Sequence, residues 1–309
     1  MPHHKISPFL SGKSIVVVVN PNSARGKWKR NPRLREYFER LFPGRVYDQT
    51  IGKADMVEQA KRLSLENDVI VIVGGDGTLS DVMQGVIDSG RRNEVVMGII
   101  PYGSGNAVRK SLFIPKAVKP ALRTFFRGAP RTIDLIDIGG RVASFVSIGA
   151  TGMVTHRKVQ TKIPGLAGHL LASTSLLTCP REPMEIDLFD GRDDKGRSFD
   201  RKTLNLKLFD CVVNKTNHFG YGWVVAPKAR IDDGYLDVTL FDIRSYNYLL
   251  NFPLIYIGRY QQYLKHFKAR RMIIRGLMLH AQYNGEILER RHELELKVIP
   301  RAVRVIGPK

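Results

Sequence analysis

The chain has 309 residues and an apolar content of 43%. Its net charge is +20, because it contains 49 lysines and arginines but only 29 acidic residues. This length accommodates two domains, and the composition is that of a folded protein, which excludes a disordered chain. The apolar runs are far shorter than the roughly 18 residues that cross a bilayer, and no signal-peptide core is evident, so we expect a cytoplasmic protein. The positive charge favours binding to nucleic acid, to an anionic membrane or to anionic substrates, and it does not distinguish among these three partners.

Strands and helices alternate in the first part of the chain. Strands are predicted at residues 15–19, 45–49, 68–73 and 94–100. Helices are predicted at residues 32–41, 54–66, 79–89 and 116–127. Such alternation indicates βαβ units and a parallel sheet, so we predict a Rossmann-like α/β nucleotide domain over residues 1–130.

From residue 131 the pattern changes to short strands separated by Gly, Asp and Asn. Strands are predicted at residues 131–138, 142–148, 184–190, 204–214, 235–241, 267–275, 278–283 and 293–298. Helical pieces are predicted at residues 166–177 and 245–257, and an exposed turn at residues 190–196. This pattern is typical of an antiparallel β-sandwich, which predicts a second domain over residues 131–309.

A glycine-rich turn follows the buried strand at residues 68–73, and it reads Gly74-Gly75-Asp76-Gly77-Thr78. Strand, glycine turn and helix in this order form a phosphate cradle, because glycines let the backbone approach the phosphate oxygens and the helix start supplies N–H donors. An aspartate in that cradle repels phosphate unless a divalent cation lies between them. Asp76 therefore indicates a site for a nucleotide with Mg²⁺.

Two more turns follow neighbouring predicted strands. They read Gly103-Ser104-Gly105-Asn106-Ala107 and Asn20-Pro21-Asn22-Ser23. In an open parallel sheet, turns at the carboxyl ends of neighbouring strands face one crevice. The Walker pattern and the dinucleotide GxGxxG spacing are both absent, so those two phosphate-binding folds are disfavoured.

With two later motifs, at residues 226–238 and 284–286, the chain resembles the soluble lipid kinases that have a diacylglycerol-kinase catalytic domain. That family includes bacterial diacylglycerol kinases and the sphingosine and ceramide kinases. The resemblance implies ATP as the phosphoryl donor, Mg²⁺ as the cofactor and the hydroxyl of a membrane lipid as the acceptor. Diacylglycerol and sphingoid or ceramide-like lipids remain open, since Ser104 and Asn106-Ala107 look more like the sphingosine and ceramide branch.

The resemblance also implies the residues that contact the nucleotide. They are Asn20, Pro21, Asn22, Ser23, Thr50, Gly74, Gly75, Asp76, Gly77, Thr78, Leu79, Ser80, Gly103, Ser104, Gly105 and Asn106. Asp76 is expected to hold the catalytic Mg²⁺. In related sphingosine kinases the equivalent aspartate is a candidate general base, so the resemblance implies this role for Asp76 as well. The hydroxyls of Thr78 and Ser80 are expected to donate to phosphate oxygens, although N-cap residues would look the same in sequence.

A second, structural Mg²⁺ is implied at the turn Asp232-Asp233-Gly234. Its ligands would be the backbone carbonyls of Arg230 and Tyr235 and the carboxylate of Asp233. The alternative is a tight turn without an ion, which the same residue types also favour. The eight histidines and two cysteines show no spacing of a zinc site, and the isolated Cys179 and Cys211 fit a reducing compartment.

Asn284-Gly285-Glu286 departs from the family, in which most members have Asp-Gly-Glu. In bacterial diacylglycerol kinases that aspartate is proposed as the base for the lipid hydroxyl, and an asparagine cannot take a proton at neutral pH. Three interpretations stay open: Asp76 is the base, Glu286 replaces it from the same face of an extended strand, or the chain is an impaired kinase. We favour an active enzyme, because phosphoryl transfer depends more on positioning than on a strong base.

Clusters of cations beside aromatic rings predict peripheral contact with an anionic membrane. One cluster surrounds Trp28 at residues 25–30, and the other joins Lys268, Arg270 and Arg271 to Tyr260 and Tyr263. No specific nucleic acid is expected, and an exposed strand could pair two chains into a homodimer.

Two rival classes of protein remain. An NAD kinase shares the sequence of the first glycine turn, and a catalytically silent protein could bind lipid or nucleic acid. The apolar segment 163–171 is either core or a border of the lipid cleft, and its His169 is expected to be structural.

Overall fold

The computed structural model describes residues 7–26, 28–48, 53–103, 105–161, 171–219 and 222–309. Two compact units form: unit 1 contains Met1–Asp134 and Arg301–Lys309, and unit 2 contains Leu135–Pro300. The first boundary lies close to the one predicted at residue 130. The predicted second domain, however, extends to residue 309, whereas the structure returns the end of the chain to unit 1.

Unit 1 alternates strands and helices, as the apolar runs and amphipathic stretches predict. Its strands are β1 Ile15–Val19, β2 Val46–Asp48, β3 Val69–Gly74 and β4 Val96–Pro101, and β5 Ala129–Asp137 leads into unit 2. Its helices are α1 Ser23–Gly26, α2 Pro32–Leu41, α3 Lys53–Glu66, α4 Asp76–Asp88, α5 Ala107–Ser111 and α6 Val118–Arg127. A short 3₁₀ helix, Pro8–Leu10, precedes them.

The sheet of unit 1 is parallel and runs in the order β4-β3-β1-β2. Every residue of β3 and β4 is buried, as expected for strands that are covered on both faces. Because the strands are parallel neighbours, the carboxyl ends of β1, β3 and β4 lie at one edge of the sheet. This edge positions the three turns predicted to bind the nucleotide.

Unit 2 is built mainly from antiparallel strands. They are β6 Val142–Ala143, β7 Phe145–Gly149, β8 Glu182–Asp193, β9 Ser198–Leu208, β10 Asp210–Asn214, β11 Leu236–Phe241, β12 Lys265–Ala269, β13 Arg271–Leu279, β14 Ala281–Tyr283, β15 Glu286–Ile287 and β16 Arg291–Gly307. Its helices include α7 Ala150–Thr161, α8 Ser245–Leu250 and α9 Phe252–Tyr256, with 3₁₀ helices at Thr174–Leu177 and Gln261–Tyr263.

The strands of unit 2 pair in the order β15-β14-β7-β10-β11-β12-β8-β13-β16, with β9 paired to β8. Alternate residues of these strands form one apolar cluster, which includes Val146, Ile186, Val213, Val238 and Ile274. The predicted fold class, a parallel α/β domain followed by an antiparallel sandwich-like domain, is therefore confirmed.

The last strand belongs to both units. The first part of β16 pairs with β13, where Leu296 faces Met272, and its end pairs in parallel with β4, where Arg304 faces Val96. Sequence patterns did not reveal this return, because the pairing depends on residues that are distant along the chain.

Several elements differ from the sequence predictions. Helix α7 is not predicted from the sequence, because a glycine, threonines and valines make this segment a weak helix former. The predicted helix 245–257 is interrupted at Asn251, and a second short helix begins at Phe252 with Pro253 in its first turn. The predicted exposed turn begins later than residue 190, because β8 continues to Asp193 before the chain reverses.

Candidate active site

The turn after β1 and the turn after β3 are joined by side chains. The Asn20 side-chain amide donates from Nδ2 to Thr78 Oγ1 at 2.8 Å, and its Oδ1 accepts from the backbone N–H of Asn22 at 2.9 Å. The backbone N–H of Asn20 donates to the carbonyl of Val73 at 3.0 Å. Asn20 therefore fixes the first glycine turn (residues 74–78) beside the end of β1.

The first glycine turn also touches the second glycine turn (residues 103–107) through its backbone. The N–H of Tyr102 donates to the carbonyl of Gly74 at 2.8 Å. A Cβ placed on Gly103 would lie 2.4 Å from the Cα of Gly75. A Cβ placed on Gly74 would lie 2.7 Å from the Cβ of Thr78. Gly103 is needed because the two turns approach more closely than a side chain permits, and Gly74 is needed because the first turn folds back onto Thr78.

The carboxylate of Asp76 holds the two turns together. Asp76 is the first residue of α4, its Oδ1 accepts from the backbone N–H of Ala107 at 2.7 Å, and its carboxylate also accepts from the backbone N–H of Asn106. Asn106 adopts a left-handed conformation, with φ 56°, and its Nδ2 donates to the carbonyl of Gly103 at 2.8 Å. Asp76, Gly103 and Asn106, three of the predicted nucleotide residues, thus belong to one hydrogen-bonded group.

Burial raises the pKa of Asp76 to about 6, against the opposing hydrogen bonds from Ala107 and Asn106. The positive charges of Lys110 and Arg109, both on α5, also lower it. At neutral pH the group is mainly ionised, which is the form that binds a cation or accepts a proton. The two cations were not predicted, because their link to Asp76 arises only when the turns meet.

The remaining predicted nucleotide residues differ in exposure. Asn22 is exposed, whereas Ser23, Leu79 and Ser80 are buried. Thr78 is buried as well, and its Oγ1 already accepts the hydrogen bond from Asn20. Thr50 and Ser104 lie outside the described residues, as do residues 162–170 with His169.

Trp28 lies in the interior and supports the second glycine turn from there. The prediction that its ring contacts a membrane is therefore wrong. Only 2% of its surface is exposed. Its ring packs edge-on against Phe38 and Tyr102, with centroid distances of 5.6 and 5.9 Å. Tyr102 immediately precedes Gly103, so the tryptophan stabilises the strand end from which this turn begins.

In unit 2, Asn284 and Gly285 form the two-residue turn of the hairpin between β14 and β15. Both have positive φ, 49° and 88°, which asparagine and glycine tolerate best in such turns. The Asn284 Oδ1 accepts from the backbone N–H and the hydroxyl of Ser144, at 3.0 and 2.9 Å. Asparagine here holds a tight turn against β7, and its amide has no capacity to act as a base.

The prediction that Glu286 shares a strand face with Asn284 is wrong. It assumed an extended backbone, but the chain reverses at Asn284 and Gly285. Glu286 instead lies on β15, directly opposite Tyr283 of β14. The structure therefore gives no support to Glu286 as a substitute for a base at position 284.

The predicted structural Mg²⁺ site contains a lysine. The ammonium group of Lys215 donates to Asp233 Oδ1 at 2.8 Å and to the carbonyl of Tyr235 at 2.6 Å, two of the three proposed ligands. The Lys215 side chain has no exposed surface. A divalent ion on these oxygens would lie against a buried ammonium, so these residues do not fit the metal. Arg230, the third proposed ligand, contributes an ion pair with Asp232 at 3.5 Å.

A second lysine reinforces this turn. Lys268 contacts Asp233 Oδ2 at 2.6 Å and Asp237 Oδ1 at 3.0 Å. Burial acts to raise the pKa of Asp233, but hydrogen bonds and charges from Lys215 and Lys268 outweigh it and hold that pKa below its usual value. Within the part of the chain that the structure describes, no group of three or more His, Cys, Asp or Glu residues could hold a metal ion.

The second predicted membrane cluster is also engaged inside unit 2. Besides the pairs of Lys268, Arg271 forms an ion pair with Glu295 at 2.5 Å, and Arg270 lies over the ring of Tyr235 at 5.6 Å. These side chains are committed to neighbouring strands. None of the described helices is both long enough and apolar enough to span a bilayer.

Comparison with known families agrees with this arrangement. Residues 14–138 match the family described as diacylglycerol kinase catalytic domain. Residues 192–307 match the family described as YegS C-terminal NAD kinase beta sandwich-like domain. A region similar to a diacylglycerol kinase catalytic domain is therefore followed in this chain by a region similar to the sandwich-like domain, which confirms the resemblance seen in the motifs.

Individual relatives support the same family. A diacylglycerol kinase of Bacillus subtilis (strain 168) is 28% identical over 233 residues, which are 72% of each chain. A diacylglycerol kinase of Staphylococcus carnosus (strain TM300) is 24% identical, over 82% of this chain and 80% of that one. A crystal structure of a diacylglycerol kinase from Bacillus anthracis str. Sterne matches with a TM-score of 0.69 and 16% identity, covering 95% of this chain and 96% of that chain. The structural match supports the fold.

Proposed function

We propose that this protein is an ATP-dependent lipid kinase that transfers the γ-phosphoryl group to a lipid hydroxyl. The observation that carries the proposal is the docking of the two glycine turns through the Asp76 carboxylate. Backbone approach, helix start and carboxylate are the parts that a magnesium-nucleotide site requires. The protein would work in the cytoplasm, at the surface of the membrane that holds its acceptor.

The residues of unit 1 fit a nucleotide with Mg²⁺. Kinases commonly hold this ion with one or two carboxylates and the substrate phosphates, and Asp76 is such a carboxylate at the phosphate turns. Mg²⁺, when bound, neutralises charge on the phosphate oxygens. The N–H groups of the first glycine turn would bind those oxygens, and Asn20 keeps that turn in position through Thr78.

Asp76 is also our candidate for the group that receives the proton of the acceptor hydroxyl. Its pKa of about 6 makes it a base of suitable strength near neutral pH. Asn284 offers only an amide, and the oxygen of that amide accepts hydrogen bonds from Ser144. A loose transition state needs little base strength, so the asparagine is compatible with turnover.

Diacylglycerol is the acceptor we favour, because relatives that align with most of the chain carry the name diacylglycerol kinase. The sequence of the second glycine turn favours sphingosine or ceramide instead. Acyl chains are held by interchangeable apolar side chains, so the choice between these lipids requires an assay.

The test is transfer of labelled γ-phosphate from Mg-ATP to lipids in mixed micelles. The acceptors are diacylglycerol, sphingosine, ceramide, phosphatidylglycerol and polyprenol, with NAD as a soluble comparison. We expect one labelled lipid, and we expect Asp76→Asn to reduce its formation at least about 100-fold. Asp88→Asn is the matched control, since Asp88 lies exposed at the end of the same helix and should retain activity.

Each other result has a defined meaning. Formation of labelled NADP would show that the protein is an NAD kinase, the rival class of enzyme. An increase in Asn284→Asp would show that the missing carboxylate limits the rate. If neither the native chain nor Asn284→Asp labels any acceptor, the kinase proposal fails for these substrates.

A further inference from the structure

One surface of unit 2 is unusually apolar for a protein with this charge. Helices α8 and α9 and the following Ile257, here called the apolar helix pair, contain no charged residue. Several of its large side chains are exposed: Tyr246 52%, Leu250 78%, Phe252 39%, Leu254 43%, Tyr256 38% and Ile257 50%. A contiguous segment of exposed aromatic and aliphatic residues is a common mark of a surface that contacts another body.

The apolar helix pair has a firm base, so its exposure is not that of a loose loop. Tyr248 and Ile255 are fully buried and anchor the two helices in unit 2. The Tyr248 ring lies 4.8 Å from that of Phe209 and 5.7 Å from that of Phe241. Short helices anchored in this way present their outer side chains in fixed positions.

The charged residues that flank this surface along the chain, from residue 243 onward, are positive. From residue 243 to residue 285 the sequence contains no aspartate or glutamate. Arg244 and Arg259 flank the apolar helix pair, and both are exposed. Among the residues that the structure describes, neither arginine forms an ion pair, in contrast to Arg271 and Arg275 farther along the chain.

We propose that the apolar helix pair docks this protein onto an anionic bilayer, with Arg244 and Arg259 placed against lipid headgroups. This inference rests on the proposed function, since a lipid kinase must reach an acceptor that stays in a membrane. Exposed Tyr, Phe and Leu side chains partition into the interfacial region of a bilayer, and flanking arginines bind anionic headgroups.

A second copy of this chain is a weaker candidate for the occupant. A two-fold interface would place this surface against itself, and the flanking arginines would meet arginines with no acid between residues 243 and 285 to compensate. The net charge of +20 on each chain adds repulsion. An anionic bilayer supplies both the apolar environment and the opposite charge.

The experiment is co-sedimentation of the full chain with vesicles, without nucleotide. We expect binding to phosphatidylcholine vesicles that contain phosphatidylglycerol, and little binding to phosphatidylcholine alone. Leu250→Ser combined with Ile257→Ser should weaken binding at least about tenfold, because two exposed apolar side chains are lost. Arg244→Ser and Arg259→Ser should each weaken binding about fivefold at low salt.

The matched control is Leu65→Ser, which removes an exposed leucine from α3 in unit 1. Leu65 is 56% exposed and precedes the acidic Glu66, so this variant should bind vesicles like the native chain. Circular dichroism checks that every variant is folded; all the changed side chains are exposed, so folding should be retained.

The proposal is overturned if the Leu250 and Ile257 double variant binds anionic vesicles like the native chain. It is also overturned if that variant changes a dimer into a monomer in light scattering while vesicle binding stays the same. Vesicle binding needs no turnover, so its failure is separate from failure of the phosphate-transfer assay. Binding without transfer would retain the docking surface and refute the kinase activity.

Discussion

Gly103 is the residue at which the candidate active site tolerates least change. A side chain there would lie 2.4 Å from the Cα of Gly75, and a backbone neighbour cannot rotate away. Any residue other than glycine must therefore separate the two glycine turns, and with them Asp76 from the N–H of Ala107.

We expect Gly103→Ala to lower phosphate transfer at least about tenfold and stability by roughly 1–3 kcal/mol. Gly75→Ala is the graded comparison: its Cβ would lie 3.3 Å from the Cα of Gly103, so the displacement and the losses should be smaller. Transfer rates and urea unfolding measure the two effects. Equal activity in Gly103→Ala and the native chain would mean that the turns need not touch.

Asp210 shows a different constraint, a buried acid that is kept neutral. Its side chain lies at the start of β10, fully buried, and the hydroxyl of Thr151 donates to Oδ2 at 2.6 Å. Burial raises the pKa of Asp210 to about 8, although hydrogen bonds from Thr151 and Cys211 oppose the change. The folded chain therefore keeps a proton that the unfolded chain loses near pH 4.

This difference predicts how stability depends on pH. The stabilisation from the retained proton is complete below about pH 4 and is lost as the pH rises towards 8, by at most about 1.4 kcal/mol per unit. Asp210→Asn cannot ionise, so its stability relative to the native chain should rise from pH 5 to pH 8. Urea unfolding across this range is the measurement.

Asp187→Asn is the control for that experiment, because the pKa of Asp187 is lowered in the folded chain whereas that of Asp210 is raised. Thr203 and Arg275, followed by Arg201, donate hydrogen bonds that lower the pKa of Asp187 to about 2. The Asp187 contribution should therefore be constant above pH 5 and decrease only in more acidic solution. A parallel pH dependence of native chain and Asp210→Asn would indicate that Asp210 is ionised.

At the scale of elements, the ammonium group of Lys215 occupies the place predicted for Mg²⁺ at the turn Asp232-Asp233-Gly234. The lysine directly follows β10, and its ammonium contacts the carboxylate of Asp233 and the carbonyl of Tyr235 just before β11. A loop that could have required a divalent ion is closed by a residue of the chain itself. Lys268 adds a second contact from β12.

We therefore expect the unfolding temperature of the nucleotide-free protein to be the same in EDTA and in Mg²⁺. Lys215→Ala should lower stability by roughly 3 kcal/mol, because Asp233 and the Tyr235 carbonyl lose the buried ammonium that they share, while Lys268 still pairs with Asp233. That variant should also regain stability when a divalent ion is added. The measurement is thermal unfolding with and without the metal.

Lys268→Ala is the control, since Lys268 contacts Asp233 but not the Tyr235 carbonyl, and its side chain is 30% exposed. A smaller loss without metal dependence is expected. A stabilisation of the native chain by Mg²⁺ that Asp233→Asn abolishes and Asp76→Asn retains would contradict this assignment.

Sequence predicts the elements whose signals are local. Five consecutive apolar residues followed by Gly74 identify β3 and its turn, and the motifs at Asn20 and Gly103 identify their partners. Lys215 is different, because nothing next to it in sequence indicates that its ammonium meets Asp233. The hairpin at Asn284 has a local signal, the turn preference of Asn-Gly, but the family motif at residues 284–286 does not express it.

At the scale of the molecule, the chain order and the units do not coincide. Residues Arg301–Lys309 belong to unit 1, where Val303 and Val305 are fully buried and Arg304 faces Val96 of β4. Short apolar runs near the end of a sequence do not show which sheet they join. The predicted domain boundaries could therefore place the first transition but not this return.

Deleting Arg301–Lys309 should destabilise unit 1 strongly, because β4 loses its neighbour and the buried valines leave the core. We expect lower urea midpoints and loss of nucleotide binding, monitored by unfolding curves and ATP titration. Deleting only Pro308 and Lys309 is the control and should have little effect, since β16 ends at Gly307. Normal nucleotide binding after the longer deletion would show that unit 1 is complete without this strand.

The return of β16 to β4 has a consequence for synthesis on the ribosome. Arg304 donates a hydrogen bond to the carbonyl of Asn93, 211 residues earlier in the chain. At ordinary translation rates, that separation corresponds to roughly 10 to 40 seconds during which one edge of β4 has no partner. An unpaired strand edge invites pairing with other nascent chains. Completion of unit 1 is thus a late event, and chaperones that shield strand edges during translation should improve the yield of folded protein.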